Sequence, residues 1–193
     1  MTMLVFGLVI FLGLHSIRIF GESGRERSIA RLGEGPWKGV FSVLSLAGFV
    51  MIVRGFRDAR GTAPILWAPP AWTGHVALLL MLASMILLAA YGLKRSRIAV
   101  AVHHPMLWAV VAWSVAHLLA NGSAADLVLF GAFLVWSLVD LSSCYARDRK
   151  NAVVYPAPNA RATIGAIAVG LVVWGFFIAG LHLWLFGVAP LAM

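Results

Sequence analysis

The sequence predicts an all-α polytopic membrane protein, a bundle of six transmembrane helices with both termini outside, on the periplasmic side. Three observations predict it. Of the 193 residues 62% are hydrophobic and only 11% are charged, where a soluble domain runs at about half apolar and a quarter charged. Predominantly apolar windows recur six times, each of about the 17–25 residues needed to cross roughly 30 Å of hydrocarbon. The basic residues between these windows fall overwhelmingly on one side. So much apolar surface excludes a disordered chain. The lone Cys144 excludes an internal disulfide framework and a cysteine-cluster metal site. The formal charge of +8 records loop orientation in a membrane chain and does not call for a nucleic-acid partner.

The chain reads as one integral membrane domain, 1–193. The first span, Met3–Phe20, has no basic residue before its apolar run and no small-x-small cleavage site after it; the charge follows, in "RIFGESGRERSIARLGEGPWK". That order describes a retained helix rather than a signal peptide. Gly39–Phe56 is the second span. Asp58–Thr73, rich in Pro and Trp, reads as an interfacial aromatic belt rather than a binding lid. The third span, Gly74–Leu93, is uncharged from Val76 onward. The fourth and fifth, Pro105–Gly122 and Ala124–Tyr145, meet at Asn121-Gly122-Ser123, a tight turn between antiparallel neighbours. In the sixth, Thr163–Val188, small residues around its start at four-residue spacing, Ala162, Ala166 and Gly170, predict a close helix–helix contact.

Loop charges set the orientation. Twelve basic residues follow helices one, three and five: Arg18, Arg25, Arg27, Arg31 and Lys38; Lys94, Arg95 and Arg97; Arg147, Arg149, Lys150 and Arg161. The other side carries three, Arg54, Arg57 and Arg60. The rule that basic loops stay in the cytoplasm puts both termini outside.

Ionisable side chains inside a bilayer are costly and demand a reason. His15 lies in the inner half of the first span. His117 lies beyond the midpoint of the fourth, with Ser114 and Asn121 on its helical face. His104 stands at the inner mouth of that helix, just before Pro105, and Asp140 near the inner end of the fifth with Ser137, Ser143 and Cys144 close to its face. His182 sits in the outer third of the sixth span, while His75 and His103 sit at the two interfaces. Two readings of the intramembrane imidazoles compete. In one, each makes an interhelical hydrogen bond worth on the order of 1 kcal/mol, the reading preferred for His182 between Leu181, Leu183 and Trp184. In the other, neutral imidazoles from two helices converge on one iron in an apolar pocket. No Cys-x-x-Cys-His is present, so only b-type haem would fit.

At "HHPMLWAVVAWSVAHLLANGS", His103–Ser123, the sequence resembles the NnrU family of bacterial membrane proteins, relatives of the plant and cyanobacterial 15-cis-zeta-carotene isomerase. "GLHSIR" at Gly13–Arg18 and "RDRK" at Arg147–Lys150 match in order. The resemblance implies a multi-pass protein of the bacterial inner membrane, linked to denitrification through nitrite and nitric oxide reduction. Its isomerase side implies haem b held by two histidines and redox-dependent conversion of a cis double bond of a polyene to trans. By motif position those ligands fall on His15 and His117. The isomerase has a cysteine three residues before its second histidine. Here that place is Ser114, which offers no thiolate; ligand exchange of that kind is not implied for this chain, while haem binding is. His15 and His117 differ in depth by about 12 Å at roughly 1.5 Å per residue, and His15 and His104 by about 8 Å, so both pairs stay open as metal ligands.

Three function classes follow. The first is a haem-b protein acting on a lipophilic small molecule or nitric oxide, with a redox partner complex. Asn121 and Asp140 would orient an imidazole or a propionate network. Arg18, Arg97, Arg147 and Arg149 would meet the propionates or serve only as orientation charges. The second is a membrane methyltransferase using S-adenosylmethionine: His104-Pro105 and Asp148-Arg149 match parts of the block such enzymes carry, with His103 where they have arginine. The third is a non-enzymatic accessory or assembly subunit. Nuclease, protease and kinase readings find no spaced nucleophile and base, no phosphate loop and no paired intramembrane carboxylates.

Overall fold

A computed structural model describes residues 1–190. Among them the regular structure is helical, with one isolated bridge pair, Ile65 with Ser123, and no strand. Its helices are α1 (Thr2–Phe20), α2 (Glu22–Leu32), α3 (Glu34–Arg60), α4 (Ala71–Gly92), α5 (Arg97–Val102), α6 (Pro105–Ala120), α7 (Ala124–Lys150), α8 (Ala160–Phe176) and α9 (His182–Phe186), the last two joined by a π-helical turn, Phe177–Leu181. Five segments are long and apolar enough to cross a membrane: α1, α3, α4, α7 and the run Ala160–Phe186. The chain is a multi-pass membrane protein.

Four features differ from the sequence expectation. The fourth apolar segment is only 16 residues long, about 24 Å. Pro105 starts it and Asn121 ends it in extended backbone. The charged segments after the first and third spans are not plain loops but contain α2 and the six-residue α5, whose start Ser96 caps by accepting from the Ala99 N–H. Helices α3 and α7 are 27 residues each, about 40 Å. Their surplus turns carry Arg57 and Arg60, and Arg147, Arg149 and Lys150. The sixth span is not one α-helix: Gly180, at φ +145°, adopts a conformation that only glycine enters without strain, and the helix passes through its π turn there.

The chain divides into two compact units, Met1–Trp67 with Ser123–Trp136, and Ala68–Gly122 with the described residues from Ser137 on. In the first, α1 lies along α3 so closely that two glycines, Gly7 and Gly55, leave no room for a side chain and a third, Gly48, leaves little. A Cβ on Gly55 would collide with the backbone nitrogen of Leu4, one on Gly7 would stand 2.7 Å from the Ile52 nitrogen, and one on Gly48 would stand 3.0 Å from the Phe11 nitrogen. Lipid tails give helices no hydrophobic reason to associate, so backbone-to-backbone packing through small residues has to supply the attraction. Phe11 meets Phe133, and Phe56 meets Phe130, at ring-centre distances of 6.0 and 5.9 Å. The start of α7 is fixed by a reciprocal cap: Ser123 donates from N–H and hydroxyl to the Asp126 carboxylate (3.1 and 2.6 Å), and Asp126 N–H returns a bond to Ser123 Oγ at 3.2 Å.

In the second unit α4 packs on both α6 and α8. Ser84, buried in α4, donates to the Ala109 carbonyl at 2.8 Å, and Trp174 Nε1 donates to the Leu78 carbonyl at 3.0 Å. Ala166 is wholly buried and a Cβ on Gly170 would stand 2.6 Å from Ile86 Cα, so the small-residue spacing of the sixth segment does mark a close contact. Small residues, Ala90, Ala99 and Ala166, form the packed cluster, while large ones such as Val9, Val43, Leu79 and Ile164 face outward. That is the arrangement expected of helices whose solvent is lipid.

Candidate functional site

The first unit holds His15. Its Nδ1–H donates to the Phe11 carbonyl at 2.7 Å. A carbonyl can only accept, so the proton is on Nδ1 and the neutral ring carries its lone pair on Nε2. Phe11 stacks on the imidazole at 4.3 Å, and Phe41 and Trp136 meet it edge-on at 5.2 and 6.1 Å. The Trp136 indole N–H is buried without a hydrogen-bond partner. Next to the ring opens a cavity of about 190 Å³ lined by His15, Arg18, Arg25, Trp37 and Phe41 among others.

The second unit holds the other sequence candidates, in two places. At the far end of α6, His117 donates from Nδ1 to the Trp113 carbonyl at 2.9 Å, the same arrangement as His15. Asn121 caps the helix by donating to the His117 backbone carbonyl at 2.8 Å; its bond is to the main chain of His117, not to the imidazole. Ser114, one turn before His117, is completely buried and its hydroxyl has no partner. The ring of His182 stands 6.5 Å from that of His117, centre to centre, with planes 26° from parallel. His182 also donates from Nδ1 to a carbonyl, that of Val188, at 2.7 Å. Sequence reading treated His182 as a packing residue because its neighbours along the chain are apolar; its polar neighbour is 65 positions away.

At the opposite end of α6, His104 is the N-cap residue, with Pro105 in the first turn. Its Nε2 lies 2.7 Å from the Asp148 carboxylate, and the Tyr155 hydroxyl donates to the same carboxylate oxygen. Tyr145 donates to the Val102 carbonyl at 2.8 Å and accepts from Trp108 Nε1 at 3.0 Å. His103 lies flat on Tyr155, with 3.9 Å between ring centres. Burial, and then the bond to the Asp148 carboxylate, push the Tyr155 phenol well above its ordinary range. His103, Tyr145, Asp148, Arg149, Ala152, Val153 and Tyr155 line a cleft of about 400 Å³. Two of them, His103 at φ +60° and Ala152 at φ +46°, are non-glycine residues in positive φ, and such strain concentrates at functional sites. Asp140 lies apart from both clusters: Arg147 approaches its carboxylate to 3.7 Å and Cys144 donates to it at 3.6 Å. Tyr145 and Tyr155 went unremarked in the sequence because a tyrosine outside the hydrocarbon carries no penalty that would single it out.

Among the described residues no three or more His, Cys, Asp or Glu side chains gather as a metal-binding group. An axial pair on a porphyrin iron needs only two donors. Three imidazoles, His15, His117 and His182, have Nδ1 tied to a carbonyl and Nε2 as the donor atom, the orientation that ligating histidines owe to such second bonds. Imidazole nitrogens carried on apolar helices are the donor chemistry that haem b takes.

Neither a curated protein nor a solved structure matches the chain. The family model described as NnrU protein matches residues 3–190. With nearly its whole length covered, this chain belongs to the NnrU family.

Proposed function

We propose that this chain is a haem-b-binding protein of the bacterial inner membrane, with six spans and both termini on the periplasmic side. In this reading it serves nitrogen-oxide metabolism or the redox-type cis–trans isomerisation of a lipophilic polyene, the activity of the isomerase to which the family is taken to be related. The observation that carries the haem reading is the shared tautomer of the intramembrane imidazoles: His117 and His15 both give Nδ1–H to the carbonyl four residues back, which directs an Nε2 lone pair outward from the helix. When bound, haem would supply one-electron chemistry to a substrate dissolved in the bilayer. The chain's own residues hold the imidazoles in one tautomer and keep water away with aromatic side chains. The six-span topology counts α6 as a span although it is short; the bilayer accommodates a short helix by local thinning, and twelve basic residues against three support the orientation.

An absorption spectrum of the detergent-solubilised protein, oxidised and then dithionite-reduced, tests this. A Soret band with sharp reduced bands is expected of two imidazoles on low-spin iron. Chromophore-free protein from haem-replete cells overturns the reading.

A second reading is favoured by one observation. His104 and Asp148, from the two blocks that partly match membrane methyltransferases, are bonded to each other beside the strained cleft. Titration calorimetry with S-adenosylmethionine tests it: saturable binding lost in Asp148→Ala supports a methyltransferase, and no heat sinks it.

A further inference from the structure

We propose that the cleft of about 400 Å³ at the end of α7 binds the phosphate of an anionic lipid headgroup, with Arg149 and His103 as the donors. The site needs neither haem nor S-adenosylmethionine, and its residues all lie in the second unit. The polar groups around the cleft divide into those already engaged and those left open. Asp148 accepts from His104 Nε2 and from the Tyr155 hydroxyl. The Tyr145 hydroxyl donates to the Val102 carbonyl and accepts from Trp108 Nε1. Arg149 and His103 line the same cleft, and among the described residues neither side chain has a hydrogen-bond or ion-pair partner. A guanidinium offers only N–H donors, and an imidazole offers at least one. The missing partner is therefore an acceptor, and a planar guanidinium selects a phosphate or carboxylate.

The backbone on both walls is strained. His103 is the centre of a γ-turn with φ +60° and ψ −47°, closed by the His104 N–H on the Val102 carbonyl at 2.6 Å. That form of the turn is rare for any side chain. Tyr145 bonds the same carbonyl and secures it, and the imidazole lies flat on Tyr155. On the other wall α7 closes with Val153 N–H on the Asp148 carbonyl at 3.0 Å and Ala152 N–H on the Arg149 carbonyl at 3.3 Å. Glycine usually holds the left-handed position of such a closure; here it is Ala152, at φ +46°. Strain of this kind gathers at ligand clamps. A helix C-terminus by itself repels an anion. In α7 the closure takes up two of the terminal carbonyls, and the last turn sets Arg147, Arg149 and Lys150 against the single carboxylate of Asp148.

A lipid is favoured over a soluble anion by what adjoins the cleft. Val153 and Val154 are 45% and 90% exposed. Apolar side chains beside a cationic opening suit the boundary where headgroup meets acyl chain. The loop that carries them is tied to a second basic segment, Asn159 N–H bonding the Arg95 carbonyl at 2.6 Å, and an anionic leaflet attracts such segments. A free phosphate would leave the valines uncovered.

The test titrates the full chain in detergent with dioleoyl phosphatidylglycerol, dioleoyl phosphatidylcholine and glycerol 3-phosphate. Native mass spectrometry reads bound ligand, and elution volume reports folding. Phosphatidylglycerol is expected to bind saturably and more tightly than phosphatidylcholine, whose own cation faces the unpaired guanidinium. Arg149→Ala is expected to weaken it at least about tenfold, the loss of a hydrogen bond between charged groups. His103→Gly keeps the positive-φ turn but removes the ring, and should weaken it about fivefold, the worth of an ordinary hydrogen bond. Arg161→Ala, a cation outside the cleft, should bind as wild type does. Unchanged binding in Arg149→Ala overturns the site, and so does an equal loss in Arg161→Ala, the mark of diffuse surface charge. Glycerol 3-phosphate bound as tightly as phosphatidylglycerol overturns the lipid assignment. Should Arg149→Ala elute as aggregate, His103→Gly decides.

Discussion

The surroundings of His15 and of His117 begin from the same local device and end in different places. Both histidines fix Nδ1 on the carbonyl one turn back. Around His15 the next layer is a box of Phe11, Phe41 and Trp136, on a helix held against α3 by glycines that allow no side chain between the backbones. Around His117 the next layer contains another imidazole at 6.5 Å, on a segment that abandons α-helical geometry just before it. One region spends its sequence on rigidity. The other brings two imidazole rings into contact. An intramembrane histidine therefore does not declare its surroundings by depth or apolarity; the second ring at His117 is reached only through a long-range fold contact.

The largest effect should come from His117→Ala, for which we expect bound haem per protein to fall at least about tenfold, a loss of the order that removing support for a metal ligand produces. His15→Ala measured alongside should lose little haem but some thermal stability, since the ring fills the aromatic box. Equal haem loss in both would break the comparison. Next in size is the packing of the first unit. Gly55→Val must push α1 away from α3 at Leu4, and overpacking of that kind costs about 1–3 kcal/mol. Gly13→Ala, where a Cβ meets nothing within 4 Å, should be neutral. Thermal melts of the two purified variants check this, and the Soret band of Gly55→Val should survive while its melting temperature drops.

The spans were legible because crossing a slab of oil is a one-dimensional requirement. α1 and α4 begin and end within about three residues of the apolar windows that predict them. α2 and α5 were not legible, since they are short and carry the charges that mark a loop. Of the site, His15, His104 and His117 announced themselves by their cost in the membrane. His182 announced itself too, but its meaning depends on a neighbour that periodicity cannot supply. Asp148 and Tyr155 lie where water is near and polarity is free. Only the fold brings them to His104.

That third cluster gives an effect of similar size with a definite pH signature. The Tyr155 phenol is raised above its ordinary value by burial and by the Asp148 carboxylate. A raised pKa means that the folded chain holds this proton more tightly than the unfolded one. Its contribution is therefore complete below the unfolded value of about 10 and is lost as pH rises beyond it. Melting temperature should fall more steeply above that pH in wild type than in Tyr155→Phe. At neutral pH Tyr155→Phe should cost about 1.5–3 kcal/mol, the worth of a hydrogen bond to a charged group. The haem spectrum should not respond.

The smallest expected change distinguishes the two regions by their orphaned polar atoms. Ser114 Oγ and Trp136 Nε1 are both buried without a partner, and a buried polar group without a hydrogen bond is a net cost. Ser114→Ala removes that cost with little change in volume, so the protein without haem should gain up to about 1 kcal/mol. Trp136→Phe also removes an orphan but gives up ring area against His15, so the two terms oppose and the melt should move little. In the haem-loaded protein the difference sharpens. If the Ser114 hydroxyl finds its partner in the bound state, Ser114→Ala should lose its stability advantage there and alter the reduction potential, whereas Trp136→Phe should leave the potential unchanged. A potential that responds to Trp136 and ignores Ser114 would move the cofactor to the His15 side of the molecule.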